Sequence, residues 1–413
     1  MRRAGPLRWI VPLGLTPMLA LAGCSSAPQG NQDDDVSLIQ ASNQVSEDQL
    51  IDVVVPVFDP GLPEEGQELP PGVFPELRKS EARYFAVKLA DTLQGTGHWG
   101  AVRVSPAAAT VADLVISGTI FQSTGKRLIL GVEVRDSTGR LWFDRKYKAI
   151  ADPAAYAESS VGNAEPFQNI YNKISNDVLL ALRERSSSEI ANIRRVTELE
   201  YAADLLPTVY SGYLEEDRKG LTKIQRLPAE GDPMIERIAK VREREAMFVD
   251  VLNQHYAYFF EEMDQPYDDW RKFAYQEETA LDQMRRKART QKILGAIAVL
   301  GAVLVQPSSG AEAAIRDVAV LGGMAAVQAG FATSKEAKIH IEALQELGAS
   351  FDSEVEPLVI DVEGHTLRLT GSVEEQYTTW RELLREIYST ETGLPVDPNA
   401  AREPQTAGPE KDG

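Results

Sequence analysis

Few residues of this 413-residue sequence are spaced to do chemistry. Gly95-Thr96-Gly97-His98-Trp99-Gly100 has the G-x-G-x-x-G spacing with which a backbone cradles a dinucleotide pyrophosphate. That chemistry needs a strand before the loop and a helix after it. Here Ala82, Phe85, Ala86, Leu89, Ala90 and Leu93 precede it at helical spacing, and the strand-like Ala101–Val104 follows. The segment reads as a helix stop and tight turn, so no cofactor is expected. His98, His255, His340 and His365 are scattered and lack ligand spacing, so no metal site is expected. Glu261-Glu262 and Glu374-Glu375 fall on charged helical faces. A glycosidase needs two acids facing each other across a cleft, which adjacency does not supply. No catalytic residues are assigned.

The remaining reactive group is the thiol of Cys24, the one cysteine of the chain. Met1-Arg2-Arg3, an apolar stretch from Trp9 and small residues before the thiol make a secretory signal peptide. Leu21-Ala22-Gly23-Cys24 resembles the lipobox of bacterial lipoproteins. The resemblance implies cleavage between Gly23 and Cys24, a diacylglycerol thioether on the sulfur and an acyl group such as palmitate on the new amine. Three buried chains hold a protein permanently where one holds it only marginally. An acylated Cys24 leaves no disulfide and no thiolate metal site. Ser25, by the same resemblance, implies the periplasmic face of the outer membrane of a Gram-negative cell. The formal charge is −19, and loss of Arg2, Arg3 and Arg8 with the leader makes the chain more acidic still. Phosphate backbones repel such a chain, which excludes nucleic-acid binding.

The residues from 25 to 46 are polar and read as a flexible tether, Asp33-Asp34-Asp35 being solvated charge within it. Ile51-Asp52-Val53-Val54-Val55-Pro56-Val57-Phe58 is apolar on both faces, as a central strand is. After a Pro/Gly-rich loop, Pro75 opens a helix. A short strand over Ala101–Val104 and a longer one from Ala112 to Phe121 follow. Leu128, Leu130, Val132 and Val134 then alternate with Arg127, Glu133 and Arg135, and Asp136-Ser137-Thr138-Gly139 turns into Leu141–Tyr147. Period-two alternation through two hairpins predicts antiparallel strands with one wet face. Phe167, Ile170, Tyr171, Ile174 and Val178 form the stripe of a closing helix.

This order, with its Val53-Val54-Val55-Pro56-Val57-Phe58, Asp113-Leu114-Val115-Ile116-Ser117-Gly118 and Asp136-Ser137-Thr138-Gly139-Arg140-Leu141-Trp142 segments, resembles the periplasmic domain shared by the TolB amino-terminal domain, the LpoB-type penicillin-binding-protein activators and the CsgG-like lipoproteins. The resemblance implies a partner-binding or oligomerising envelope module without shared catalytic residues.

Downstream, Ile235, Ile238, Val241, Phe248, Val251, Leu252, Tyr256 and Phe259 give an apolar stripe on a charged helical region punctuated by Pro207, Pro228, Pro233 and Pro266. Ile293–Val305 and Val318–Ala332 are apolar runs around a Gln306–Gly310 break, and Gly322, Ala326 and Gly330 put small residues on one helix face. The first run spans roughly 20 Å as a helix, short of a bilayer core of about 30 Å. A buried helical hairpin is favoured over membrane insertion, and both over a partner-docking face. A hairpin over Leu358–Val362 and Thr366–Leu369 and a helix through Trp380, Leu383, Leu384 and Ile387 close the chain.

The expected fold class is α+β. Its parts are a signal peptide (1–23), a lipidated tether (24–46), a small mixed α/β domain (47–186), a charged helical region (187–291), an apolar small-residue helical hairpin (292–334), a helix, β-hairpin and helix (335–392) and a disordered tail (393–413). The expected function is that of a non-catalytic envelope lipoprotein that binds or assembles periplasmic and outer-membrane partners. The alternatives are a membrane-inserting oligomer of a transport system and, behind it, a cell-wall enzyme. Expected partners are the membrane, through the lipid, and envelope proteins or further copies of the chain.

Overall fold

The computed structural model describes residues 36–64, 66–69, 73–106, 111–156, 165–303, 335–353, 358–362, 365–369 and 371–392. Five strands, β1 (Val53–Pro56), β2 (Val102–Ser105), β3 (Leu114–Ser123), β4 (Arg127–Asp136) and β5 (Leu141–Ile150), form one mixed sheet in the order β2-β1-β3-β4-β5. β1 runs parallel to both β2 and β3, and β3, β4 and β5 form the antiparallel meander. Val53, Val54 and Val55 are all buried, as expected for a strand apolar on both faces. Along β4, Leu128, Leu130, Val132 and Val134 turn inward and their neighbours outward, so the alternation does set one dry face.

The dry face packs on α1 (Pro75–Gln94) and α2 (Gln168–Arg183) through Phe85, Leu89, Leu93, Ile170, Tyr171, Ile174 and Val178. Pro75 starts α1, where its missing N–H costs nothing. Gly97 takes a φ of 70°, and the Thr96 hydroxyl donates to Leu93 O at 2.7 Å, so the glycine-rich segment is a helix stop. The D-x-T-G turn is a side-chain clip: Asp136 accepts from Thr138 N (2.9 Å) and from Trp142 Nε1 (2.7 Å).

The rest is helical, with two small hairpins. α3 (Ser187–Leu205) begins at a capping box of Ser186 and Glu189. α4 (Pro207–Tyr210), β6 (Leu214–Glu216) and β7 (Thr222–Ile224) lead into α5 (Pro233–Val303). α6 (Lys335–Ser353), β8 (Leu358–Val362), β9 (His365–Leu369) and α7 (Val373–Thr392) follow. No helix among the described residues is long and apolar enough to cross a membrane.

Two boundaries differ from expectation. α5 is a single helix of 71 residues that runs through Pro266 and past the expected boundary at 291. Ile238, Val241, Phe248, Leu252, Tyr256, Phe259, Met263, Tyr267, Trp270 and Ala274 are buried and, with the buried Glu245 between Val241 and Phe248, recur every three or four residues, and this continuous stripe outweighs the one hydrogen bond that Pro266 removes. The tether expected through residue 46 is docked from Val36. Asn169, Asn172 and Asn176, on one face of α2, bond Val36 N, Val36 O, Ser37 O and Ile39 N at 2.7 to 3.2 Å. Pairing of the extended backbone with three amides, together with Ile39 packed against the core, holds the segment down.

Candidate partner-binding surface

Among the described residues, the outer face of the meander is the part of the sheet left uncovered. Phe121 is 54% exposed there and Ile150 48%. β3 and β4 lose register between Ile120 and Gln122, so Phe121 is a bulge residue, a position that re-aims a side chain. Its ring lies over Gly131, where an added Cβ would meet Phe121 Cε2 at 2.6 Å. Lys146, opposite Gly131 on β5, holds its Nζ 3.5 Å from the same ring centroid. A cation over an exposed ring contributes about 0.5–1 kcal/mol. The bulge, the missing side chain and the lysine together keep an aromatic ring flat on the wet face.

Among the described residues, β5 supplies the free edge beside this stack. Ala151 N donates to Lys126 O, which fixes the phase of the β4–β5 ladder. Residues 149, 147, 145 and 143 then point their backbone groups at β4, and Asp144, Lys146, Lys148 and Ile150 point theirs away from the sheet. On the dry side β5 is held by Asp177 of α2, which accepts from Tyr147 Oη (2.8 Å) and Arg145 Nη1 (2.9 Å). Burial, then the Asp177 carboxylate, raises the Tyr147 phenol far above its ordinary value.

The opposite edge is closed. Gln94 Oε1 accepts from Val102 N, and Asn253 of α5 bonds both backbone groups of Val104. Arg103 makes a bidentate pair with Asp250 at 2.6 and 3.1 Å.

A cleft of about 580 Å³ lies between α3, α5 and the starts of the parallel strands, lined in part by Asp52, Arg103, Asp113, Arg194, Tyr201 and Arg242. Open α/β sheets bind ligands outside the carboxyl ends of their strands, and this cleft is at the amino ends. Its buried acids serve the fold. Asp113 accepts from Asp52 N (2.9 Å), Asp52 from Ala101 N (2.9 Å), and burial raises the Asp113 carboxyl above its ordinary value. Deeper in, Glu245 accepts from Tyr201 (2.7 Å) and Tyr377 (2.9 Å) and so ties α3, α5 and α7 together.

A second polar cluster fastens α5 to the sheet. Arg271 is buried, pairs with Glu165 at 2.8 and 3.0 Å, and lies 4.4 Å from the Tyr267 ring centroid. Tyr267 and Ser123 both donate to Glu81 Oε1. Ser123-Thr124-Gly125-Lys126 has the S-x-x-K spacing of a serine nucleophile with a lysine base. Here it is a turn whose Lys126 Nζ sits 2.6 Å from Asp282. Ser123 Oγ donates instead to Glu81 Oε1 at 2.6 Å, so the serine and the lysine are each turned to a different carboxylate.

Gly23 and Cys24, the expected cleavage and lipidation site, lie outside the described residues, as do Gly322, Ala326 and Gly330. No group of three or more metal-ligating side chains occurs among the described residues. No family model, curated protein or solved structure matches the chain. Sequence reading found the wet face of the meander but missed Phe121, which it placed only as the end of a strand. Gly131 opposite Lys146 is the signal that could have found it, because glycine inside a strand marks a close approach.

Proposed function

We propose that this chain is a lipid-anchored, non-catalytic protein on the periplasmic face of the outer membrane that binds or assembles envelope partners through the open half of its sheet. The carrying observation is the exposed Phe121–Lys146 stack beside the free edge of β5, on a sheet whose other edge is closed by Gln94 and Asn253. The leader and Leu21-Ala22-Gly23-Cys24 supply the anchor. The resemblance of the α/β segment to partner-binding envelope domains supports the same reading.

Its test is photo-crosslinking in intact cells from p-benzoylphenylalanine placed at Phe121 or Ile150, with Tyr258, 62% exposed on α5, as control. Discrete protein adducts from the first two positions and none from Tyr258 are expected. Labelled palmitate should enter the wild type and not Cys24→Ala. Peptidoglycan turnover by the purified protein, abolished by one carboxylate substitution, would replace this reading with the enzyme.

One observation favours the membrane-inserting alternative. α5 continues 21 residues beyond Asp282, about 30 Å at helical rise, and carries the first residues of the apolar run with it. If that reading holds, a Cys24→Ala form without lipid still partitions into bilayers; a product wholly in the aqueous phase ends it.

A further inference from the structure

We infer that the free edge of β5 is a docking site for an extended acidic segment of a partner protein, which joins the five-stranded sheet as its next strand. The inference rests on the reading of the meander as the partner-binding half and names what that half binds.

Asp144, Lys146, Lys148 and Ile150 send four N–H and four C=O groups outward, and none is hydrogen-bonded among the described residues. Exposed edges are commonly kept short or covered. The fold does this at β2, which has four residues and bonds to Gln94 and Asn253, and not at β5, which has ten.

Lys146 and Lys148 project from the edge of a chain whose formal charge is −19. Lysines on an edge also discourage indiscriminate pairing, so they select as well as guard. Side chains of an added strand lie about 5 Å from those they face, and opposite charges there are favourable. A glutamate or aspartate at alternate positions of the incoming strand would face Lys146 and Lys148. The Phe121 ring, with Lys146 already folded on it, would flank the same face.

The same rule disfavours a second copy of β5. The antiparallel register that uses all four outward residues sets Lys146 of each copy against Lys148 of the other, and facing like charges are destabilising.

The test uses the full chain and a labelled ten-residue peptide of alternating glutamate and threonine, with the lysine–threonine peptide as counterpart. Saturable binding of the first and none of the second is expected. Lys146→Glu with Lys148→Glu should weaken the acidic peptide at least tenfold and admit the basic one. Lys148→Pro removes an N–H that points away from β4, so it should leave the melting temperature within a few degrees and weaken binding at least tenfold. Equal binding of both peptides, binding that survives both variants, or no binding at all would overturn the inference. So would dimerisation lost in Lys148→Pro, which would make the occupant a second copy. If no acidic peptide binds and crosslinks from Phe121 persist, the inference fails while the proposed function stands.

Discussion

Asn253 completes the edge of β2 as if it were a neighbouring strand. Its Oδ1 accepts from Val104 N at 2.7 Å and its Nδ2 donates to Val104 O at 3.0 Å. The same Nδ2 also donates to Val249 O at 2.7 Å, one turn back on α5. One amide therefore satisfies both exposed backbone groups of an edge residue and fixes α5 against the sheet. Asn253→Ala strips both bonds and should cost about 1–2 kcal/mol in urea denaturation. Amide exchange at Val104 should accelerate at least tenfold while β4 amides are unchanged. An unchanged Val104 exchange rate would show that this edge is protected by something else.

Gly125 sets how closely α5 approaches the β3–β4 turn. A Cβ on Gly125 would stand 2.0 Å from Arg271 O and 2.5 Å from Tyr275 N, both backbone atoms of α5. Neither can move without shifting the helix. Gly125→Ala should therefore destabilise by about 3 kcal/mol, at the upper end of overpacking costs. Gly212 is the control: its added Cβ meets nothing nearer than Arg226 Nη2 at 4.0 Å. Gly212→Ala should lie within about 0.5 kcal/mol of the wild type in the same denaturation. Equal midpoints for the two variants would mean that α5 is free to slide at this contact.

What the sequence revealed and what it concealed follow from the range of the signals. Val132 and Phe85 are 1% and 0% exposed, as periods of two and 3.6 residues require, because a single buried face imprints its period on its own segment. The turn at Gly97 was legible for the same reason, since helix and strand flank it. Pro266 misled, because the cost of a proline is local and the stripe that overrides it extends over most of α5. Nothing in the local pattern of Arg271, Glu81 or Glu165 marks them as a buried cluster. Their partners come from segments far apart in sequence, and only the fold brings them within bonding distance. Asn253 has no sequence signal at all: it is a polar residue on a helix until β2 is laid beside it.

Glu200 gives the fold a pH dependence of definite sign. Burial raises its carboxyl from 4.5 to about 7, against a hydrogen bond from the Thr222 side chain and with repulsion from Asp136. A carboxyl raised in the folded state contributes stability that is complete below its unfolded value and lost as pH rises through its folded one. Stability should thus fall between about pH 4.5 and pH 7 through this group. Glu200→Gln keeps the volume and removes the titration. The stability of the variant relative to wild type should rise by up to about 3 kcal/mol from pH 5 to pH 8. Asp91, Asp113 and Asp268 shift in the same direction and cancel in that difference. Parallel stability curves for the two proteins would show that Glu200 ionises freely.

The Arg271–Glu165 pair is the sharpest test of how α5 is held. Both side chains are nearly dry, at 3% and 5% exposure, so each relies on the other as its nearest opposite charge. Glu165 also accepts from Tyr84 at 3.0 Å, and the Arg271 guanidinium lies against the Tyr84 and Tyr267 rings. Arg271→Met leaves a buried carboxylate with only two neutral donors, Tyr84 Oη and Phe167 N, and Glu165→Met leaves a buried guanidinium with the more distant Asp268, at 3.5 Å, and aromatic rings. Each should cost about 3–5 kcal/mol, because an unpaired charge in a dry site loses its hydration without compensation. The double variant removes both charges and should cost much less than the sum, with a coupling of at least about 2 kcal/mol. Additive losses in the double-mutant cycle would mean that water reaches the pair. In that case the seam between α5 and the sheet rests on the stripe from Ile238 to Ala274, and the charges across it are incidental.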